Sequence, residues 1–465
     1  MSKKYSHFSA FSKLSSFARE LDDSSESRDS AILHQHRRAP SRSKRTRYLH
    51  RIFSFKELFD RLGYGFAPQQ FISILFFLIG ATPFLVGIIF AFKHVLSSLI
   101  SFFMQFYVKV KSIHSKNISL AGMIFAFSLI GLILATRFQD TLLFSLFLLT
   151  GSVGIVTYGE LYGPLVQRHI RQERKNFFLD KILSYGLFIT GFAFILSGLL
   201  FDFFGFHSSI TLFGFVFPLS GYFISFEVAA LFFFISGFFI QYLPLQRKNS
   251  FSSTYFHSIK KQFFSFWYQT KYFFTHSYLF FLFLGSILLV VIEILGSAYY
   301  GYLIFTHLTS FQFTWIALFF TSAIFVSFLL QRYLLSLKKH LDIRPLFVLG
   351  TLLMAFLPFI LHFNPHFHTL WLGVIFYLSG LSTLSMAQSI FIKKILPFEQ
   401  RKLFFKTVDF LLLLPTIIFV PLGAYLTFIH GFDFFLQLVL GILIFGVLPI
   451  YFILVLLSDR KKYKR

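Results

Sequence analysis

Apolar runs of roughly 20 residues recur from about residue 69 to residue 456, separated by short polar segments. Such a run spans about 30 Å of hydrocarbon as an α-helix. The pattern predicts twelve membrane-spanning helices at 69–91, 94–110, 118–136, 141–163, 182–202, 221–243, 277–300, 310–330, 346–362, 369–390, 407–428 and 433–456. The stretch 203–220 is apolar but broken by Gly205, Gly214 and Pro218, and reads as an outer loop dipping into the membrane interface. The longest connection, 244–276, divides the spans into two sets of six.

Charge orients this pattern. Of the 43 Lys and Arg residues, all but Lys93 and Arg137 fall on one side if the spans alternate. The inner patches are Lys109/Lys111/Lys116, Arg168/Arg171/Arg174/Lys175/Lys181, Arg247/Lys248/Lys260/Lys261/Lys271, Arg332/Lys338/Lys339/Arg344 and Lys393/Lys394/Arg401/Lys402/Lys406, with Arg460–Arg465 at the end. Positive charge in short loops stays cytoplasmic, so both termini are expected inside. Were 203–220 a span, every later patch would land outside.

Composition then excludes several classes. The mean hydropathy of +0.70 and 13% charged residues depart from soluble domains, which carry about 25% charge. The net charge of +24 follows from the loop pattern and from attraction to anionic lipid headgroups, so nucleic acid is not an expected partner. The absence of Cys excludes disulfides, thiolate metal sites and thiol catalysis. The 75 Phe residues are spread through every span and read as general apolar filler. Residues 1–66 form a basic, Ser-rich tail; low hydrophobicity predicts disorder to about residue 50. Within that tail, Ile52–Leu62 has helical apolar spacing and is expected to lie along the inner membrane surface. The remaining divisions are 67–243 and 277–456 for the two six-helix bundles, and 457–465 for a basic tail.

The halves repeat. Lys116 precedes Gly122 by the same spacing that separates Arg344 from Gly350, 228 residues later, and Glu173-Arg174 matches Glu399-Gln400-Arg401 at an offset of 227 between the arginines. Each pair occupies the same loop of its half, which points to a duplicated six-helix unit. On these residues and the long central loop, residues 65–458 resemble the major facilitator superfamily. The resemblance implies an all-α fold of two six-helix pseudo-repeats that rock about a central solute site. It also makes Arg174, Asp342, Arg344 and Arg401, with Glu160, inner-loop or gating candidates. Ser112 and His340 stand where the family has Asp, and Ser115 and Ile343 where it has Gly; Asp342 sits two residues away. Span five carries no Gly-Pro pair, so an antiporter subtype is not implied.

An ionised group at the hydrocarbon centre costs roughly 2.5–3.5 kcal/mol, so each one needs a partner or a task. Leaving aside three residues at either end of each, the predicted spans hold three carboxylates, Glu160, Glu227 and Glu293. Glu160, near the inner end of its span and close to Arg168, suits a pairing role, and Glu227 sits at a helix N-terminus. Glu293 lies about 24 Å into its helix, past the midplane, in the run Leu288–Leu295, which has no other polar residue. Desolvation there favours the neutral acid, making Glu293 the candidate for proton coupling; a protonated Glu bonded to a neighbouring helix is the alternative. Gln70 and Thr82, Tyr158, and Ser382, Ser385, Gln388 and Ser389 are candidates to line the same cavity, although small hydroxyls also serve helix packing. His362, His366 and His368 match no standard ligand spacing, so neither a metal nor a cofactor is expected.

These features predict a non-enzymatic, monomeric secondary transporter of a small solute in the plasma membrane. The scarcity of charge in the spans favours a neutral, amphiphilic or aromatic solute. The rival readings are a membrane scaffold acting through the basic tail, and an intramembrane lipid-modifying enzyme or lipid flippase.

Overall fold

The computed structural model describes residues 44–110, 115–169, 172–205, 209–212, 215–218, 220–241, 274–336, 344–363, 365–396 and 408–460. The predicted patches at 244–276, 397–407 and 461–465, and the tail before 44, lie wholly or largely outside these residues. Helices dominate: α1 (Lys44–Phe66), α2 (Gln69–Leu78), α3 (Pro83–Val110), α4 (Ser115–Phe138), α5 (Thr141–His169), α6 (Gln172–Phe204), α7 (Gly221–Gln241), α8 (Ser277–His307), α9 (Gln312–Ser336), α10 (Arg344–Phe363), α11 (Phe367–Ile395), α12 (Leu413–Gly441) and α13 (Leu448–Arg460), with a π-helical turn at Ile442–Val447 before α13. Ten helical stretches are long and apolar enough to cross a membrane, and one of them, Leu413–Leu456, reverses direction at Gly431 (φ 83°) and so crosses twice. The twelfth crossing is α1 and α2 end to end.

That first crossing corrects the expected boundaries. Ile52–Leu62 does not lie on a membrane surface: Ile52, Phe53, Lys56 and Asp60 are buried, and α1 packs on α6 and α7. The turn between crossings one and two falls at 79–82 instead of 92–93. Its construction is local. Gly80 (φ 94°) ends α2 with Gly80 N–H donating to the Phe77 carbonyl and Ala81 N–H to the Phe76 carbonyl, a left-handed C-terminal cap. Thr82 then accepts from Leu85 N–H at 3.3 Å, and Pro83 opens α3 at the position where its missing N–H costs nothing. Lys93 consequently stands ten residues inside α3, about 15 Å from its start, not in a loop.

Crossing one is itself interrupted at Ala67-Pro68. Proline cannot donate to the ladder, and the Phe66 carbonyl is satisfied sideways by Ser225 Oγ (2.7 Å) on α7 and Ser197 Oγ (3.2 Å) on α6. Between α6 and α7 the chain forms a hairpin, β1 (Ser209–Leu212) paired antiparallel with β2 (Phe215–Pro218) in the register Ser209↔Pro218. Four-residue strands cannot span, so the expected parity holds.

Crossings one to six form one bundle and seven to twelve the other. Within the first, α4 packs on α5 and α7, and α3 on α5; within the second, α10 packs on α11 and α9 on α11. The bundles meet where α3 meets α12, α6 meets α9, and α2 meets α8. We call the end carrying β1–β2 the hairpin end and the opposite one the basic end. At the hairpin end Tyr299 Oη donates to the Pro83 carbonyl across the bundles at 2.8 Å. Gly87 permits this: a Cβ there would lie 2.5 Å from Tyr299 Oη and 2.3 Å from Ala424 Cβ. Phe77 stacks on Tyr302 (4.2 Å), and Phe432 and Phe84–Tyr425 continue the aromatic seam. Phe71 meets Phe313 edge-on at 5.0 Å.

Candidate functional site

The deepest polar groups lie where the first, fourth and sixth crossings of each half converge. In the first half, α1 places Lys56 and Asp60 one turn apart, with Lys56 Nζ 2.5 Å from Asp60 Oδ2. Tyr158 Oη on α5 donates to Asp60 at 3.0 Å, and Ser236 Oγ on α7 donates to the same carboxylate at 2.5 Å. Lys56 Nζ also sits 3.1 Å from the centroid of the Tyr162 ring, a cation–π contact. Lys56 is 2% exposed and Asp60 4%. On the adjoining stripe Glu57 and Arg61 form a second i,i+4 pair at 3.8 Å, and Arg61 runs beside Gly186 of α6. Two opposite charges one turn apart, twice over, make residues 52–66 of α1 neutral, which is how a charged segment enters a bundle interior. The expected scarcity of charge in the crossings is therefore corrected: four ionisable residues of α1, Lys56, Glu57, Asp60 and Arg61, stand in the first crossing, and Lys93, expected in a loop, stands within α3. The signal for the first four was their spacing, read as an amphipathic surface.

Beside this junction, Ser101 of α3 donates to Glu160 of α5 at 2.5 Å, and both are buried. Ser97 and Lys93 continue the same face of α3 toward the hairpin end, with Ser97 Oγ donating to the Lys93 carbonyl at 2.7 Å. Tyr158, a predicted cavity residue, is hydrogen-bonded to Asp60 and Ser236 in this junction.

The second half repeats the plan with uncharged groups. Gln388 of α11 donates to Tyr451 of α13 at 2.6 Å and reaches Ser286 of α8 at 3.5 Å. Ser382 receives a hydrogen bond from Gln331 of α9, so Ser382 and Gln388 face different neighbours; Ser385 is half-buried. Glu293 lies half-buried on α8, within electrostatic reach of Tyr377 on α11. Tyr377 meets Tyr300 edge-on at 5.1 Å, and Gly296, between Glu293 and Tyr300, leaves room for the Tyr377 hydroxyl. The buried Tyr300 hydroxyl has no hydrogen-bond partner among the described residues. Gln70 lies half-buried where α2 meets Gly301 of α8. Arg174 and Arg344 lie in α6 and α10, at the basic end, while Asp342 and Arg401 fall outside the described residues. Three or more potential metal ligands do not cluster among the described residues.

The sequence matches no protein-family model and no curated protein. Solved structures do match. The nucleoside transporter NupG superposes with a TM-score of 0.64 at 14% identity, covering 88% of this chain and 98% of that one. A bacterial homologue of the iron transporter ferroportin in its inward-facing state gives 0.64 at 15% identity over 88% and 98% of the two chains. The outward-facing state of such a homologue gives 0.51 at 15% identity over 87% and 99%. The chain has the fold of the major facilitator transporters: an all-α, multi-pass membrane protein of two six-helix halves.

Proposed function

We propose that the chain is a secondary transporter moving a small solute across the plasma membrane by alternating access, with both termini cytoplasmic. The observation that carries this reading is the way the halves meet at the hairpin end. At the hairpin end they are joined by the Tyr299–Pro83 hydrogen bond and a run of aromatic contacts, while Glu293, Gln388 and Glu160 lie deeper. The closer superposition on the inward-facing ferroportin homologue than on the outward-facing one supports the same state, closed at the hairpin end. The basic patches make the other end cytoplasmic by the positive-inside rule. The ion pairs of α1 are closed on themselves within the first half, which keeps the site suited to a neutral, amphiphilic or aromatic solute. Glu293, a half-buried carboxylate of the second half, is the proposed proton carrier, with Tyr377 and Tyr300 beside it. The chain acts as a monomer, and its basic N-terminal run engages anionic headgroups.

The test begins with purified full-length protein and thermal unfolding against sugars, amino acids, nucleosides, lipids and amphiphilic drugs. A ligand at about 100 times its Kd adds roughly 2.7 kcal/mol. One class should stabilise saturably and then enter proteoliposomes; a flat response with no uptake of any class removes the reading. With that solute, Glu293→Gln should abolish accumulation driven by a pH gradient and leave solute exchange intact. Persistent accumulation would place coupling elsewhere.

A further inference from the structure

We propose that Asp202 is a latch between the two halves, holding the hairpin end closed by capping a helix of the opposite bundle; this rests on the alternating-access reading. Helix α9 begins at Gln312, and the residue before it is Phe311, whose side chain has no oxygen to accept from the free N–H groups of the first turn. A helix normally receives that oxygen from its own Ser, Thr, Asp or Asn one residue upstream. Here the two oxygens come from another helix, 111 and 112 residues away. Asp202 Oδ1 accepts from Phe313 N–H at 3.2 Å, and Oδ2 from Thr314 N–H at 2.7 Å. The carboxylate also faces the positive end of the α9 dipole.

The approach is built into α6. One turn before Asp202, Gly198 lies so close to the start of α9 that an added Cβ would be 2.8 Å from the Phe313 carbonyl oxygen and 2.8 Å from Thr314 Cα. Beneath it, Phe201 and Phe313 rings meet at 4.6 Å. When the halves separate at this end, Asp202 must leave α9, and the first turn of α9 loses its acceptor. The contact exists only in the hairpin-end-closed state, so its strength weights the equilibrium between states.

The natural absence of cysteine makes the test direct. Ser73, fully buried against Gly301 of the other half, becomes the reporter as Ser73→Cys. Whole cells expressing the full chain are exposed to a membrane-impermeant maleimide, and inverted vesicles present the other face. Adding Asp202→Ala should raise labelling from the hairpin side roughly 5- to 30-fold, the effect expected for loss of one helix cap. Asp202→Asn, equal in size but with one acceptor oxygen and an NH2 group facing the second N–H, should fall between the parent and Asp202→Ala, whereas a role resting on bulk alone would leave it at the parent level. Gly198→Ala should raise labelling too, by wedging the same junction while leaving the carboxylate. Labelling within twofold of the parent in folded Asp202→Ala, or in folded Gly198→Ala should the first variant fail to fold, overturns the latch. Failure of solute flux, by contrast, would overturn the transporter reading and leave this measurement interpretable.

Discussion

At the scale of single residues, the best-defined chemistry is the Lys56–Asp60–Tyr158–Ser236 junction. A buried pair loses its hydration, and its mutual attraction repays that only when every remaining lone pair is used. Asp60 meets this condition with an ammonium, a phenol and a serine hydroxyl. Removing Lys56 takes the ammonium from a buried carboxylate, and removing Asp60 leaves buried Lys56 with only the longer contact to Glu57 at 3.6 Å. Lys56→Met or Asp60→Ala should each cost about 3–5 kcal/mol of stability. The double variant should cost clearly less than the sum of the two, as thermal unfolding in detergent would show. Additive losses would mean that the two residues do not work as a pair. Tyr158 was legible as a polar residue in a span, but its partner was not: Asp60 lies 98 residues earlier in a segment whose charge made it look interfacial.

At the scale of elements, the helix boundaries were written locally and the interruptions were not. Gly80, Thr82 and Pro83 carry a helix stop, an N-cap and a first-turn proline in four residues, and Asp140 likewise caps α5 through Leu142 and Leu143 N–H. Hydropathy averaged over a window ran across the first of these signals and displaced two crossings. The break at Pro68 was visible as a proline, yet what makes it tolerable is Ser197 and Ser225 converging on the Phe66 carbonyl. Because the two hydroxyls are redundant, Ser197→Ala or Ser225→Ala alone should cost less than about 1 kcal/mol. Together they strand the carbonyl, and the double variant should lose roughly 1–3 kcal/mol in the same unfolding assay. Equal effects of single and double substitution would show that the carbonyl finds another donor.

At the scale of the whole molecule, the start of the first crossing separates the transporter from the scaffold reading. Deleting residues 1–42 removes the Ser-rich tail and leaves α1 intact; uptake should persist in proteoliposomes, whereas a scaffold would lose its purpose. Deleting to residue 66 removes Lys56 and Asp60 and one wall of the first half, and should prevent recovery of folded protein. Retained folding after the longer deletion would mean that α1 is peripheral. The sequence by itself determined that the chain is a helical multi-pass membrane protein, and it predicted twelve crossings with the basic patches on one side. Those properties follow from summed transfer energies and short-range charge, which need no knowledge of neighbours. Only the tertiary structure decided which charges lie inside, because the cost of burying α1 depends on partners from α5 and α7. It also decided which groups join the halves at the hairpin end: Tyr299 against Pro83 and Asp202 against α9, pairs separated by more than 100 residues and carrying no local signal.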